Sequence, residues 1–100
     1  MSFECITNDE VAELISQNSP LFLLDVRTPE EHQAFNIGGT LIPIDQLADR
    51  LAEIPTHLPI VVYCRSGHRS HLAMEFLRKN GFADVKNLTG GMLAWKLTPA

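Results

Sequence analysis

The segment Tyr63-Cys64-Arg65-Ser66-Gly67-His68-Arg69-Ser70 gathers around one thiol the groups that make a thiol reactive. The β-branched run Ile60-Val61-Val62-Tyr63 reads as a strand and delivers Cys64 at its carboxyl end. A helix is predicted to open at Ser70, so its free amides and positive dipole end lie within a few residues of the sulfur. Gly67 allows successive N–H groups to turn inward as an anion nest. Arg65 and Arg69 are cations, His68 and His71 can become so, and no acid interrupts residues 65–71. Comparable settings lower a cysteine pKa from about 8.5 to about 3.5–7.5. The thiolate is the nucleophile, and the same cradle suits an incoming oxyanion or the terminal sulfur of a persulfide.

Each of these residues also has a plainer reading. A cysteine closing an apolar strand is more often a small buried hydrophobe, but the strand–Cys–Gly loop–helix context outweighs that here. Arg65 and Arg69 alone would be solvated charges; within the loop they become candidate anion contacts. His68 and His71 read as surface or orienting groups rather than general bases. Cys64, His68 and His71 offer three metal-ligating side chains, but the cationic setting and the lack of a second nearby cysteine point to no metal. Cys5 reads as a part-buried structural thiol rather than a partner that resolves oxidised Cys64. Neither a phosphate-binding Gly-Lys-Ser/Thr loop, nor Gly-x-Gly-x-x-Gly, nor a Ser/His/Asp set is found, so no nucleotide, flavin or nicotinamide cofactor is expected.

The elements that must position this loop alternate short apolar runs with helical periodicity. Strands are predicted at Phe3–Ile6, Leu21–Leu24, Thr40–Ile42, Ile60–Tyr63 and Val85–Leu88. Thr7-Asn8-Asp9-Glu10 and Thr28-Pro29-Glu30-Glu31 both have the form of a capping box, the second with Pro29 at the first helical position. Val11, Leu14 and Ile15 form an apolar stripe on the first helix. Asp45 is read as capping a third helix, with Leu47, Leu51 and Ile54 on one face. Leu72, Ala73, Phe76 and Leu77 are read as the inner face of the helix after the loop, which Asn80-Gly81 ends. Trp95 reads as core packing in a closing helix. Short loops and right-handed crossovers make this an α/β fold: three layers, α/β/α, around a mainly parallel five-stranded sheet. Ligands of such sheets sit at the carboxyl ends of the strands, where both Cys64 and Asp25 lie.

At 100 residues and 11.1 kDa, with 45% hydrophobic and 20% charged residues, the chain reads as a single domain, residues 1–100, with one packed core. A net charge of −4 and a pI near 5.4 speak against nucleic acid or an anionic membrane as partner. The apolar runs fall far short of a membrane span, and the first ten residues lack the apolar core of a secretory signal. Two cysteines make no disulfide framework, so a cytoplasmic location with both thiols free is expected.

Cys64-Arg65-Ser66-Gly67-His68-Arg69 resembles the active-site loop of the rhodanese (sulfurtransferase) superfamily, in which Cys-x-x-Gly-x-Arg recurs. The resemblance covers nearly the whole chain. Leu24-Asp25-Val26-Arg27-Thr28-Pro29-Glu30-Glu31 resembles the family's Asp-x-Arg and the Glu-bearing helix after it, and Asn87-Leu88-Thr89-Gly90-Gly91 with Ala94-Trp95 resembles its C-terminal signature. The pattern differs at Phe35-Asn36-Ile37-Gly38-Gly39-Thr40, where members often carry Gly-His-Ile-x-Gly-Ala and where this chain is about one residue short. The resemblance implies a stand-alone thiosulfate sulfurtransferase. Cys64 would take a sulfur from thiosulfate or another sulfane-sulfur donor as a persulfide, and pass it to cyanide, a small thiol or a thioredoxin-like acceptor. It implies that Cys64 is catalytic, that Arg65, Ser66, Gly67, His68 and Arg69 bind substrate, and that Asp25, Arg27, Glu31 and Ser70 support the loop. Arg69 either attracts the donor oxyanion or pairs with Asp25 or Glu31. A cysteine phosphatase or arsenate reductase is a rival reading, but Cys-x5-Arg would put an arginine where Ser70 stands. A persulfide carrier or interaction module without turnover is the other rival.

Overall fold

The computed structural model describes residues 4–97, which form a five-stranded, all-parallel sheet covered on both faces. In chain order the strands are β1 (Cys5–Ile6), β2 (Phe22–Asp25), β3 (Thr40–Leu41), β4 (Ile60–Tyr63) and β5 (Val85–Leu88), and their spatial order is β1-β5-β4-β2-β3. The helices are α1 (Asn8–Ser16), α2 (Pro29–Ala34), α3 (His68–Lys79) and α4 (Gly91–Leu97). Phe3, read as the start of the first strand, lies outside the described residues.

β4 is central and buried along its whole length. Its side chains alternate between two cores, as the pleat requires. Ile60 and Val62 join Leu24, Ala73, Met74, Leu77 and Val85 beneath α3, while Val61 and Tyr63 join Val11, Leu88 and Met92 beneath α1 and α4. Trp95 packs, half-buried, against the second core. This double burial is why the strand reads as an unbroken apolar run.

Both capping boxes form. Thr7 and Glu10 close the start of α1, and Thr28 and Glu31 close the start of α2, with Pro29 in the first turn. Gly81, at φ +95°, ends α3 in the left-handed region that glycine tolerates. Between β3 and β4 the expected helix is replaced by two 3₁₀ segments, Ile44–Asp49 and Leu51–Glu53. Pro43 and Pro55 flank this stretch, Arg50 leaves helical geometry, and Asp45 makes no cap, so short 3₁₀ turns are formed instead. Leu47 and Ile54 are buried even so.

Two helix faces differ from the sequence reading. Ile15 is 39% exposed, leaving Val11 as the buried residue of α1. On α3 the buried face is Ser70, Ala73, Met74 and Leu77, while Leu72 is 48% exposed. These four positions follow the i, i+3, i+4, i+7 pattern of a helix face, and the polar Ser70 obscures it. Among the described residues no helix is long and apolar enough to cross a membrane.

Leu77 is fully buried between α3 and the sheet. Leu77→Ala is expected to cost about 2–5 kcal/mol of unfolding free energy, read from urea denaturation.

Candidate active site

Cys64 directly follows β4, beneath the N-terminus of α3, and is 1% exposed. Gly67 occupies the N-cap position of α3 with φ +96° and offers no side-chain acceptor. The sulfur fills that role. Cys64 Sγ accepts the Gly67 amide at 3.1 Å and the Ser70 amide at 3.4 Å, and the Ser70 hydroxyl lies 3.2 Å away. Ser70 is thus the third residue of α3 rather than its first, because the helix begins two residues earlier, at His68.

The loop faces its amides inward because its carbonyls are held elsewhere. The Cys64 and Arg65 carbonyls accept the Met92 and Leu93 amides of α4, both at 2.9 Å. Gly91, at φ +61°, makes this close approach possible: a Cβ there would sit 2.4 Å from the Arg65 carbonyl oxygen. At Gly67 a Cβ would sit 2.5 Å from the Thr89 carbonyl oxygen. The Gly67 carbonyl accepts both the His71 amide at 3.2 Å and Asn87 Nδ2 at 3.1 Å.

Burial is the largest single influence on the Cys64 thiol and pushes its pKa up. Hydrogen bonding from the Ser70 hydroxyl and from the Ser70, Ser66 and Gly67 amides outweighs it together, and the thiol ends below its ordinary value. The sulfur is therefore sheltered from water, while its hydrogen bonds favour the thiolate.

Arg69 pairs with Glu31, not with Asp25. Its two terminal nitrogens meet the two carboxylate oxygens at 2.8 and 3.0 Å. The hydrogen bonds from Arg69 hold the Glu31 carboxyl at about 2, against the upward push of burial and with help from Thr28. One Glu31 oxygen also accepts the Thr28 amide and hydroxyl at 3.1 and 3.2 Å, so the cap of α2 and the first turn of α3 share a carboxylate.

Asp25 and Arg27 form a separate, buried clamp. Asp25 accepts the Arg27 amide at 3.0 Å and two guanidinium hydrogen bonds at 2.9 and 2.7 Å, and His32 Nδ1 lies 2.8 Å from the same carboxylate. Arg27 also donates to the Phe35 carbonyl at 2.6 Å and lies over the Tyr63 ring. It ties β2 to the end of α2.

Arg65 is exposed and, among the described residues, makes no ion pair. With Arg27, Glu31, Phe35, Met92 and Leu93 it lines a cleft of about 230 Å³ next to the loop. His68 and Ser66 are also exposed. His71 faces Glu75 at 3.6 Å on the outer side of α3. Among the described residues no group of three His, Cys, Asp or Glu side chains is placed to hold a metal ion. Cys5 is exposed rather than part-buried: on the two-residue edge strand β1 it is Ile6 that enters the core.

Sequence reading missed Asn87, which bonds the Ser70 hydroxyl and the Gly67 carbonyl. A signal for it exists: alternation along Val85-Lys86-Asn87-Leu88 puts Asn87 on the inward face with Val85, and a buried amide needs partners.

The sequence pattern of the rhodanese-like domain matches residues 7–98. A sulfurtransferase of Allochromatium vinosum is 35% identical over 91 residues, which is 90% of this chain and 85% of that one. A putative sulfur carrier protein of Bacillus subtilis is 34% identical over 82 residues, covering 81% of this chain but 44% of its own length. The crystal structure of a rhodanese-like domain protein from Staphylococcus aureus superposes with a TM-score of 0.86 at 35% identity, covering 92% of this chain and 90% of that one. A cysteine-capped helix on a five-stranded parallel sheet, matched in sequence and in fold along nearly its whole length, places this chain in the rhodanese-like domain family.

Proposed function

We propose that the protein is a sulfurtransferase that carries sulfane sulfur on Cys64. The observation that carries this reading is the sulfur's position as acceptor of the Gly67 and Ser70 amides at the start of α3. Those amides favour the thiolate, the nucleophile in the first step and the leaving group in the second. With thiosulfate as donor, the Cys64 thiolate forms a bond to the outer sulfur. The bond between the two thiosulfate sulfurs breaks, and sulfite leaves with the electron pair. The persulfide anion is then attacked at its outer sulfur by cyanide or a thiolate. The new acceptor–sulfur bond forms as the persulfide S–S bond breaks, and the Cys64 thiolate is restored. No metal or organic cofactor enters either step.

Arg65 is assigned to the donor's oxyanion, because its guanidinium is exposed beside the cleft and, among the described residues, makes no ion pair. Arg69 is assigned to holding the loop, because Glu31 engages both of its terminal nitrogens. Asp25 and Arg27 support β2 and α2 from beneath. Ser66, Gly67 and His68 belong to the donor's surroundings, the first two through their amides. The same occupation of Arg69 weighs against phosphate chemistry, in which an arginine clamps the transferred group. Two free thiols suit a reducing compartment such as the cytoplasm.

A persulfide carrier without small-molecule turnover is the second reading. It is favoured by the 1% exposure of Cys64 and by the likeness to a protein named a putative sulfur carrier. Turnover with thiosulfate and cyanide supports the enzyme; loading only from a protein donor supports the carrier.

Incubation with thiosulfate is expected to add one sulfur atom to the intact mass, removed again by cyanide, and Cys64→Ser is expected to abolish the gain while keeping the native circular dichroism. The pH midpoint of Cys64 alkylation is expected below the ordinary thiol value of about 8.5, rate being lost as pH falls through the lowered pKa. Arg65→Ala is expected to raise KM for thiosulfate about tenfold with kcat little changed, in steady-state assays; a loss confined to kcat would move Arg65 into transition-state stabilisation.

A further inference from the structure

Asn87 lies on β5, 4% exposed, beneath the first turn of α3. Its Nδ2 donates to the Gly67 carbonyl at 3.1 Å, and its Oδ1 accepts the Ser70 hydroxyl at 2.5 Å. A carbonyl oxygen only accepts, so Gly67 fixes which way round the Asn87 amide sits, and Oδ1 is left facing Ser70. Ser70 owns a single hydroxyl hydrogen, for which there are two acceptors: Asn87 Oδ1 at 2.5 Å and Cys64 Sγ at 3.2 Å.

With sulfur protonated, both needs are met in series: S–H donates to Ser70 Oγ, and O–H donates to Asn87 Oδ1. With sulfur ionised, that arrangement fails. Either an oxygen lone pair faces the negative sulfur, or the hydroxyl turns to the sulfur and the buried Oδ1 loses its donor.

We propose that Asn87 is a positioning residue that acts on Cys64 through Ser70: its amide oxygen holds the Ser70 hydroxyl hydrogen while Cys64 is protonated or persulfidated, and yields it to the sulfur when the sulfur is charged. The persulfide half rests on the sulfur-transfer reading; the ionisation half rests on Cys64 alone. When the acceptor attacks the outer sulfur, the S–S electron pair returns to Sγ, and the hydroxyl turns to meet it. No proton is transferred in that turn. In the free protein Asn87 opposes ionisation and keeps the sulfur basic, which preserves its nucleophilicity.

Arg69 of α3 is the charged group that acts on the sulfur, with Glu31 of α2 and Asp25 of β2 acting on Arg69, while the exposed Arg65 of the loop and the titratable His68 of α3 flank it in sequence. Asn87 and Leu88 of β5 and Gly91 and Met92 of α4 are uncharged. None of these charged groups is altered in the test.

Asn87→Leu removes the acceptor at similar size. The freed hydroxyl is expected to donate to the sulfur and lower the pH midpoint of Cys64 alkylation by about one unit, a tenfold change in the ionisation constant. A residue that merely braced the loop would act in the opposite direction, since a loosened amide cradle raises the midpoint. Ser70→Ala is expected to raise the midpoint, and adding Asn87→Leu to Ser70→Ala is expected not to lower it. A raised midpoint in Asn87→Leu, or an equal lowering with and without the Ser70 hydroxyl, overturns the proposal. The unsubstituted protein gives an arm independent of variant folding. The NMR signals of the Asn87 side-chain amide are expected to titrate with the Cys64 midpoint, and after thiosulfate loading to sit where they do in the thiol form. Signals indifferent to Cys64 ionisation overturn the proposal. Failure of thiosulfate to load Cys64 counts against the sulfur-transfer reading instead, and the titration still decides the role of Asn87.

Discussion

A helix that starts without an acceptor for its first amides must find one, and α3 finds a sulfur. Its N-cap residue is a glycine, its first turn holds no acid, and Cys64 Sγ takes the amide of that N-cap glycine and the amide of Ser70 in the first turn. Side-chain oxygens normally do this work, and losing one costs about 1 kcal/mol. Using a thiol makes structure and reactivity one interaction. The amides that need an acceptor are the ones that stabilise negative charge on it, and a buried, water-poor setting strengthens each of those contacts.

The rest of the architecture keeps that contact in place. β4 carries the cysteine to a fixed point at the sheet's carboxyl edge, held between two cores. α4 then supplies the opposite half of the cradle. Its amides take up the Cys64 and Arg65 carbonyls, so the loop's own amides are free to face the sulfur. Gly91 matters because two stretches of backbone meet there with no room for a side chain. The Gly-Gly that closes β5 is therefore part of the site, though it lies more than twenty residues from the cysteine in sequence.

Features carried by one local rule were legible in the sequence. β4 was, because an unbroken β-branched run has few other uses. Both capping boxes were, because they need only residues three apart. The Cys64 loop was, because a thiol among cations and a glycine is a rare local composition. What depended on distant partners was not. Arg69 had two carboxylates within its reach, and only the fold chose Glu31. Ser70 looked like a helix start because its type suits a cap, whereas its inward position follows from the sulfur having taken the cap. Strand alternation could place the Asn87 amide on the face it shares with Val85, but its partners could not be read, because nothing local announced that α3 would cross above it. The stretch between Pro43 and Pro55 had the spacing of a helix face, but it starts without a side-chain cap and breaks at Arg50, so it winds as two 3₁₀ segments.

Glu31 joins two of these local rules into one. A single side chain closes the start of α2 through Thr28 and holds the first turn of α3 through Arg69. Positions 28 and 69, on different helices and not bonded to each other, are thereby epistatic: the effect of a change at one depends on what stands at the other. A change at residue 31 is therefore felt at the start of α2 and in the first turn of α3 at once.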